Sequence, residues 1–351
     1  MADPRQAWNV PSRPRPIVLI GAGAIVRTAH LPIYRRLGFP VAGLFDVRPE
    51  TARETAQAFG VATIFRSLAE TCASSSSIFD LAVPGDQIAG VLRCIPAGSA
   101  VLIQKPMGEH LEQARDILAI CRARELTAAV NFQLRFSPGL LAIRDLQRDG
   151  FFGEITDIEV RLVVRQPWEQ WSLLRHTPRL EVLYHSIHYL DVIRLVAGEP
   201  NGVYCRGVGH PLLTDFRDTR STTILDYGDR LRCSLMLNHT HMHDGTHRES
   251  MLKIEGTEGT AILTMGVNLD YPNGQPDRLE IVRGRDRWRE IPLRGSWFIE
   301  AFEGPMSNLQ RFVTGEDDAL LSPVTDAIRT MALVEACYQA SAAGGTPIPE
   351  V

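Results

Sequence analysis

The chain has 351 residues, 44% of them hydrophobic and 22% charged, with a formal net charge of −4 at pH 7. That length accommodates two domains with separate cores, and neither a basic nor an acidic excess points to nucleic acid as a partner. Six scattered cysteines (Cys72, Cys94, Cys121, Cys205, Cys233 and Cys337) form no Cys-x-x-Cys pair, which argues against a zinc knuckle or a disulfide framework and for a reducing, cytoplasmic setting.

Residues 1–15 are rich in Pro and Arg and contain no apolar segment. They are neither a secretory signal nor a membrane span, and are expected to form an N-terminal arm, disordered or draped over a partner subunit. From residue 16 onward, apolar runs at 17–20, 41–45, 61–65, 78–83, 100–103 and 127–131 alternate with amphipathic stretches. Such alternation predicts six parallel strands with helices on both faces, a complete dinucleotide-binding domain over 16–135.

Within that stretch, Gly21-Ala22-Gly23-Ala24-Ile25 joins the first strand to the next helix, and the second strand ends in Asp46. Glycine at 21 lets the chain turn tightly off the strand, and glycine at 23 removes a side chain where a pyrophosphate approaches the backbone. The helix N-terminus, here Ala24 and Ile25, then offers free N–H groups and the positive end of its dipole. Val26 fills the third glycine position of the fingerprint, a packing change that leaves the phosphate contact intact. Asp46 is placed to accept from both ribose hydroxyls and to repel a 2′-phosphate, so the cofactor reads as NAD, with NADP less favoured; Arg48 is the residue able to soften that preference. Val83 and Pro84 close the fourth run and Gln104 and Lys105 the fifth, where ligands of parallel sheets bind, so these four join the expected cofactor contacts.

The pattern changes after Asn131 to Pro138. A helix is expected over 138–148, a strand over 155–165, and a helix over 180–197 closed by Gly198. Residues 202–293 show mostly period-two alternation with turn residues between, the mark of an antiparallel sheet, and helices return at 297–314 and 324–342. The predicted architecture is an α/β Rossmann domain followed by an α+β domain, residues 136–351, with a large, mostly antiparallel open-faced sheet.

Gly21-Ala22-Gly23, Asp46, Gln104-Lys105-Pro106, Asn131 to Pro138 and His188-Tyr189-Leu190-Asp191 occur in the order and spacing of the Gfo/Idh/MocA family, the glucose-fructose oxidoreductase and inositol dehydrogenase group, which the chain resembles from 16 to 345. The resemblance implies an NAD(P)-dependent oxidoreductase of sugars or polyols. It implies that Lys105 hydrogen-bonds the reacting oxygen, with Gln104 replacing the acid of a Glu-Lys-Pro signature, and that His188 is the general base. Many members carry an Asp four residues before that histidine, where this chain has Tyr184. A tyrosine there can bind substrate or orient His188 but supplies no fixed negative charge. A homodimer or homotetramer through the outer face of the second sheet is likewise implied, with no membrane partner.

Asn131, Arg135 and Arg165 are candidate substrate contacts, with His185 flanking the Tyr184/His188 face. Trp168 and Trp171 either cover a substrate or pin a long loop. His239, His241 and His243 alternate, which projects them from one face of a strand, with His247 beyond a turn. A metal site there is set aside for want of a completing Cys or Glu, in favour of a hydrogen-bonded sheet surface or an oligomer interface. An aldose oxidised at its anomeric carbon is the first substrate class. The alternatives are a silent NAD- and sugar-binding regulator and a redox-neutral, NAD-using glycosidase or lyase.

Overall fold

The computed structural model of the chain describes residues 3–73, 76–168 and 174–350. It divides into two compact units, Met1–Leu141 with Trp297–Met331 and Ala142–Ser296 with Ala332–Val351. The expected split at 135 therefore differs from the observed one, because the chain returns to its first unit near residue 297.

The first unit is built on a five-stranded parallel sheet in the order β2-β1-β3-β4-β5, from β1 (Ile17–Ile20), β2 (Val41–Phe45), β3 (Ile78–Leu81), β4 (Ala100–Gln104) and β5 (Thr127–Asn131). A π turn (Val26–His30) leads into α1 (Leu31–Leu37), and α2 (Pro49–Phe59), α3 (Leu68–Thr71), α4 (Ile88–Cys94) and α5 (Leu111–Ala123) follow in the crossovers. The strands are near-continuous apolar runs, as burial on both faces demands. Run 61–65 is the exception: it makes a single bridge, Leu44 to Ile64, held by Leu44 N–H to Thr63 and Phe65 N–H to Leu44. Beyond the sheet edge nothing covers Ala62, Thr63 and Ile64, which are exposed, so an apolar run that periodicity marks as a buried strand is a surface segment. Its Phe65 ring lies over Gly43, where a side chain would collide with it.

Later in the chain α8 (Glu303–Val313) completes this unit's core, with Met306 and Leu309, together with Phe302 just ahead of it, packed among Ile17, Leu19, Leu102 and Ala129. The expected helix over 297–314 starts late: Trp297–Ile299 form a turn and Glu300–Phe302 a 3-10 turn before α8. The N-terminal arm is not loose. Trp8 Nε1 donates to Asp317 at 2.7 Å, the Ser12 N–H to Glu316 at 3.1 Å and the Arg15 N–H to Gln310 at 2.7 Å, so it is tied to its own unit.

The second unit carries an eight-stranded sheet in the order β13-β12-β11-β10-β6-β9-β8-β7: β6 (Ile155–Val163), β7 (Gly202–Val208), β8 (Arg220–Asp226), β9 (Arg232–Asn238), β10 (Glu249–Gly256), β11 (Gly259–Thr264), β12 (Arg278–Arg283) and β13 (Arg289–Ile291). Every neighbouring pair is antiparallel except β6 with β9. Alternate residues such as Ile158, Val160, Leu235, Leu237, Leu252 and Ile254 are buried on one face, the period-two pattern of a sheet covered on one side. A π turn (Val182–Ser186) leads into α7 (Ile187–Ala197), which packs on β6. The remaining helices are α6 (Pro138–Arg148) and α9 (Val324–Ala343), as the pattern predicts. No described helix is long and apolar enough to cross a membrane.

Candidate active site

The parallel register of the first sheet puts Ile20 beside Phe45 and Leu81, Leu81 beside Ile103 and Ile103 beside Val130. One to three residues further along each strand lies the carboxyl edge, which collects Gly21, Asp46, Val83, Pro84, Gln104 and Lys105. Gly21 has φ 98°, and a side chain there would run into the Ala82 carbonyl, so the turn demands glycine. At Gly23 the reason is different. A Cβ would meet nothing of this chain, which leaves the backbone open on that side, the condition a diphosphate cradle before a helix requires. The Ala22 N–H donates to Asp46 Oδ2 and the Arg48 N–H to Asp46 Oδ1, both at 2.9 Å. Those two bonds aim the carboxylate and leave its other lone pairs for hydroxyl donors. Arg48 reaches the same carboxylate at 3.6 Å while its side chain is exposed. The residues present thus fit an adenosine diphosphate.

Lys105 follows β4 directly, and the Lys105–Pro106 peptide is cis. Its N–H donates to Gln104 Oε1 at 3.1 Å, which occupies Gln104 with local structure. Burial pulls the Lys105 ammonium down from 10.5 to about 8, because leaving water penalises the charged form.

Two residues expected at the substrate are tied up elsewhere. Asn131 is 2% exposed, and its Nδ2 lies 3.3 Å from His30 Nε2. His30 Nδ1 and the Tyr34 hydroxyl both reach Asp80 Oδ2 at 2.7 Å. This buried chain of bonds links the first helical segment to β3 and β5, and it pushes the Tyr34 phenol well above its ordinary range through burial first and Asp80 second. Arg135 is also 2% exposed; it donates to the Leu321 carbonyl and to Asp326 Oδ2 at 2.6 Å, with its guanidinium 5.7 Å from the Phe132 ring centre. It clamps two distant segments of one unit. The signal missed in both cases was burial, which strand-end position alone does not reveal.

In the second unit His188 is the second residue of α7 and half-buried, and Tyr184, also half-buried, packs against the apolar group of Trp168, Leu174, Leu180 and Phe216. Trp168 is no cover. It is 3% exposed, donates Nε1–H to the His239 carbonyl at 3.2 Å and stands edge-on to His185 with ring centres 5.4 Å apart. Trp171 lies outside the described residues, and Arg165 is exposed, its backbone bridged to Thr240. The three alternating histidines do not share a strand face, because β9 ends at Asn238. His239 turns inward and is buried, His241 bonds the Asp244 carbonyl at 3.1 Å, and His243 is exposed. Facing His239 is the residue missed by sequence reasoning, Glu181, fully buried, with Oε2 2.8 Å from His239 Nδ1 and 3.7 Å from His185 Nδ1. The i, i+4 spacing of Glu181 and His185 was the available clue.

Residues 15–132 match the model of an oxidoreductase family with an NAD-binding Rossmann fold, and residues 145–349 match that of the family's C-terminal alpha/beta domain. The D-apiose dehydrogenase of Paraburkholderia graminis is 26% identical over 349 residues, spanning 93% of this chain and 88% of that protein. The inositol 2-dehydrogenase of Rhizobium meliloti is 22% identical over 92% of this chain and 96% of its own length. Among solved structures, an oxidoreductase from Agrobacterium radiobacter in complex with NAD+, L-tartaric acid and magnesium superposes with a TM-score of 0.80 over 94% of this chain and 97% of that one, at 18% identity, and shares the fold.

Proposed function

The chain belongs to the Gfo/Idh/MocA oxidoreductase family, with an NAD-binding Rossmann domain, and from that premise we propose that it is an NAD-dependent dehydrogenase of a sugar or polyol, an aldose at its anomeric carbon being the first candidate. The observation that carries this reading is the row of strand ends in the first unit, where a glycine turn, an aimed carboxylate and a desolvated lysine lie along one carboxyl edge. When bound, NAD supplies a nicotinamide that accepts hydride. Gly21, Gly23, Ala24 and Ile25 would hold its diphosphate and Asp46 its adenosine ribose, with Val83, Pro84 and Gln104 along the same edge. Lys105, as ammonium, donates a hydrogen bond to the reacting hydroxyl oxygen and stabilises the charge that grows there. His188 takes the hydroxyl proton, and Tyr184 orients the substrate or that imidazole. The two named relatives, a D-apiose and an inositol dehydrogenase, support the substrate class.

The test is absorbance of the reduced cofactor on mixing the protein with NAD and a panel of pentoses, hexoses and polyols. Turnover of at least one is expected. Tight binding of NAD and sugar without turnover would replace the reading by a silent regulator, and product without net reduced cofactor by a redox-neutral enzyme. Asp46→Ala is expected to lower kcat/KM for NAD about 10- to 100-fold, the worth of a hydrogen bond to a charged group, and to narrow the preference over NADP; steady-state kinetics with both cofactors checks this.

A further inference from the structure

Three donor atoms of the second unit converge outside the roles assigned above. Glu181 Oε2, His185 Nδ1 and His239 Nδ1 all lie within 4.8 Å of one another. Two of these side chains are almost wholly sequestered, Glu181 at 0% and His239 at 6% exposure. Although Glu181 Oε2 and His239 Nδ1 are 2.8 Å apart, neither atom has a hydrogen-bond partner among the described residues. A buried carboxylate oxygen and an imidazole nitrogen that are close but misaligned with each other are costly unless a third group satisfies both. Donors around a four-coordinate zinc stand roughly 3.3–3.6 Å apart, given bonds of about 2.0–2.2 Å, and the two carboxylate distances here, 2.8 and 3.7 Å, straddle that spacing.

The surroundings are those of a built site. Glu181 Oε1 accepts from the Ser186 hydroxyl at 3.3 Å, and Ser186 in turn meets Ser221 at 3.2 Å, which holds the carboxylate so that Oε2 faces the histidines. The π turn makes this possible, since Glu181 reaches His185 four residues on and Ser186 five residues on. Asp218 Oδ1 accepts the Leu180 N–H at 3.0 Å and fixes the entry to that turn. Trp168 anchors the His239 backbone and walls the pair of imidazoles, whose ring centres are 4.2 Å apart. Such outer contacts are how proteins orient metal ligands.

We propose that Glu181, His185 and His239 form a mononuclear site for a divalent first-row transition metal, zinc in the first instance. The donor set of two imidazoles and one carboxylate suits such an ion and leaves a coordination position for an oxygen ligand. The His185 side chain, 18% exposed, is the accessible side of the cluster, so water or a hydroxylated ligand would approach there. The proposal stands apart from the sugar-oxidation reading, because its evidence is metal content rather than turnover.

The experiment strips the purified full chain with a chelator, dialyses it against Zn²⁺ or Co²⁺, removes unbound ion and measures metal by mass spectrometry. One equivalent per chain is expected, together with the visible d–d absorption of low-coordinate cobalt in the Co²⁺ sample. His239→Ala and Glu181→Gln should each reduce metal to background while keeping the wild-type circular dichroism spectrum, and His241→Ala and His243→Ala should retain a full equivalent. Background metal in the reconstituted wild type would overturn the proposal, whatever the variants do, and so would a full equivalent kept by folded His239→Ala.

Discussion

Lys105→Met is expected to lower kcat/KM for the sugar substrate by about 10²- to 10³-fold, the usual cost of removing one group that stabilises charge in the transition state. The same substitution is expected to make the folded chain more stable at pH 7. Burial holds the Lys105 ammonium at about 8 against 10.5 for the exposed group. Between those values the unfolded chain binds more protons than the folded one, so stability rises with pH across that window, and below about 8 the full penalty of burying the charge is present. A shift of this size corresponds to up to roughly 3 kcal/mol. Urea midpoints should therefore separate variant from wild type at pH 7 and converge only as the pH passes about 10.5, the value of the exposed group. Activity moves in the opposite sense: the protonated form is the hydrogen-bond donor, so wild-type kcat/KM should fall as pH rises through about 8, and the variant should lack that limb. A variant with wild-type kcat/KM would remove Lys105 from the chemistry.

Arg135→Ala is expected to cost about 3 kcal/mol of stability, because it strands the Leu321 carbonyl and breaks an ion pair whose arginine side is 3% exposed. Asp326 is 32% exposed and recovers water, which keeps the loss at the lower end of the range for broken buried pairs. For a unit of this size that predicts a fall in Tm of roughly 6–12 °C, read by calorimetry or thermal circular dichroism. The KM for sugar measured at a temperature where the variant is folded should stay within about twofold of wild type, which is what distinguishes a clamp from a substrate contact. A raised KM with unchanged Tm would restore Arg135 to the substrate.

What was legible in the sequence is what is local. Gly21, Asp46 and Lys105 each end a strand, and a strand's end is written in the run that precedes it; a parallel sheet then collects those ends at one edge. What depends on a remote partner was not legible. Asn131 is engaged by His30, 101 residues away, and Arg135 by Asp326, 191 residues away, and no spacing rule carries such information. The 61–65 run failed because periodicity reports apolar character but not whether a layer exists to cover it. His239 was grouped with His241 and His243 by assuming that alternation continued, whereas the strand stops at Asn238 and the chain bends inward. Glu181 was legible as a helical neighbour of His185, and only the return of β9 supplies the second imidazole.

The interrupted path of the first unit sets a timetable for making the protein. Its sheet is fully synthesised by Asn131, yet Phe302, Met306 and Leu309, which fill its core, emerge only after some 150 further residues that belong to the other unit. A nascent chain on the ribosome therefore carries an unsealed apolar face while the second sheet is being made, the interval in which a chaperone would engage it. A fragment cut at residue 135 reproduces that unfinished state permanently, so a cofactor-binding fragment should carry residues 297–331 rejoined to it.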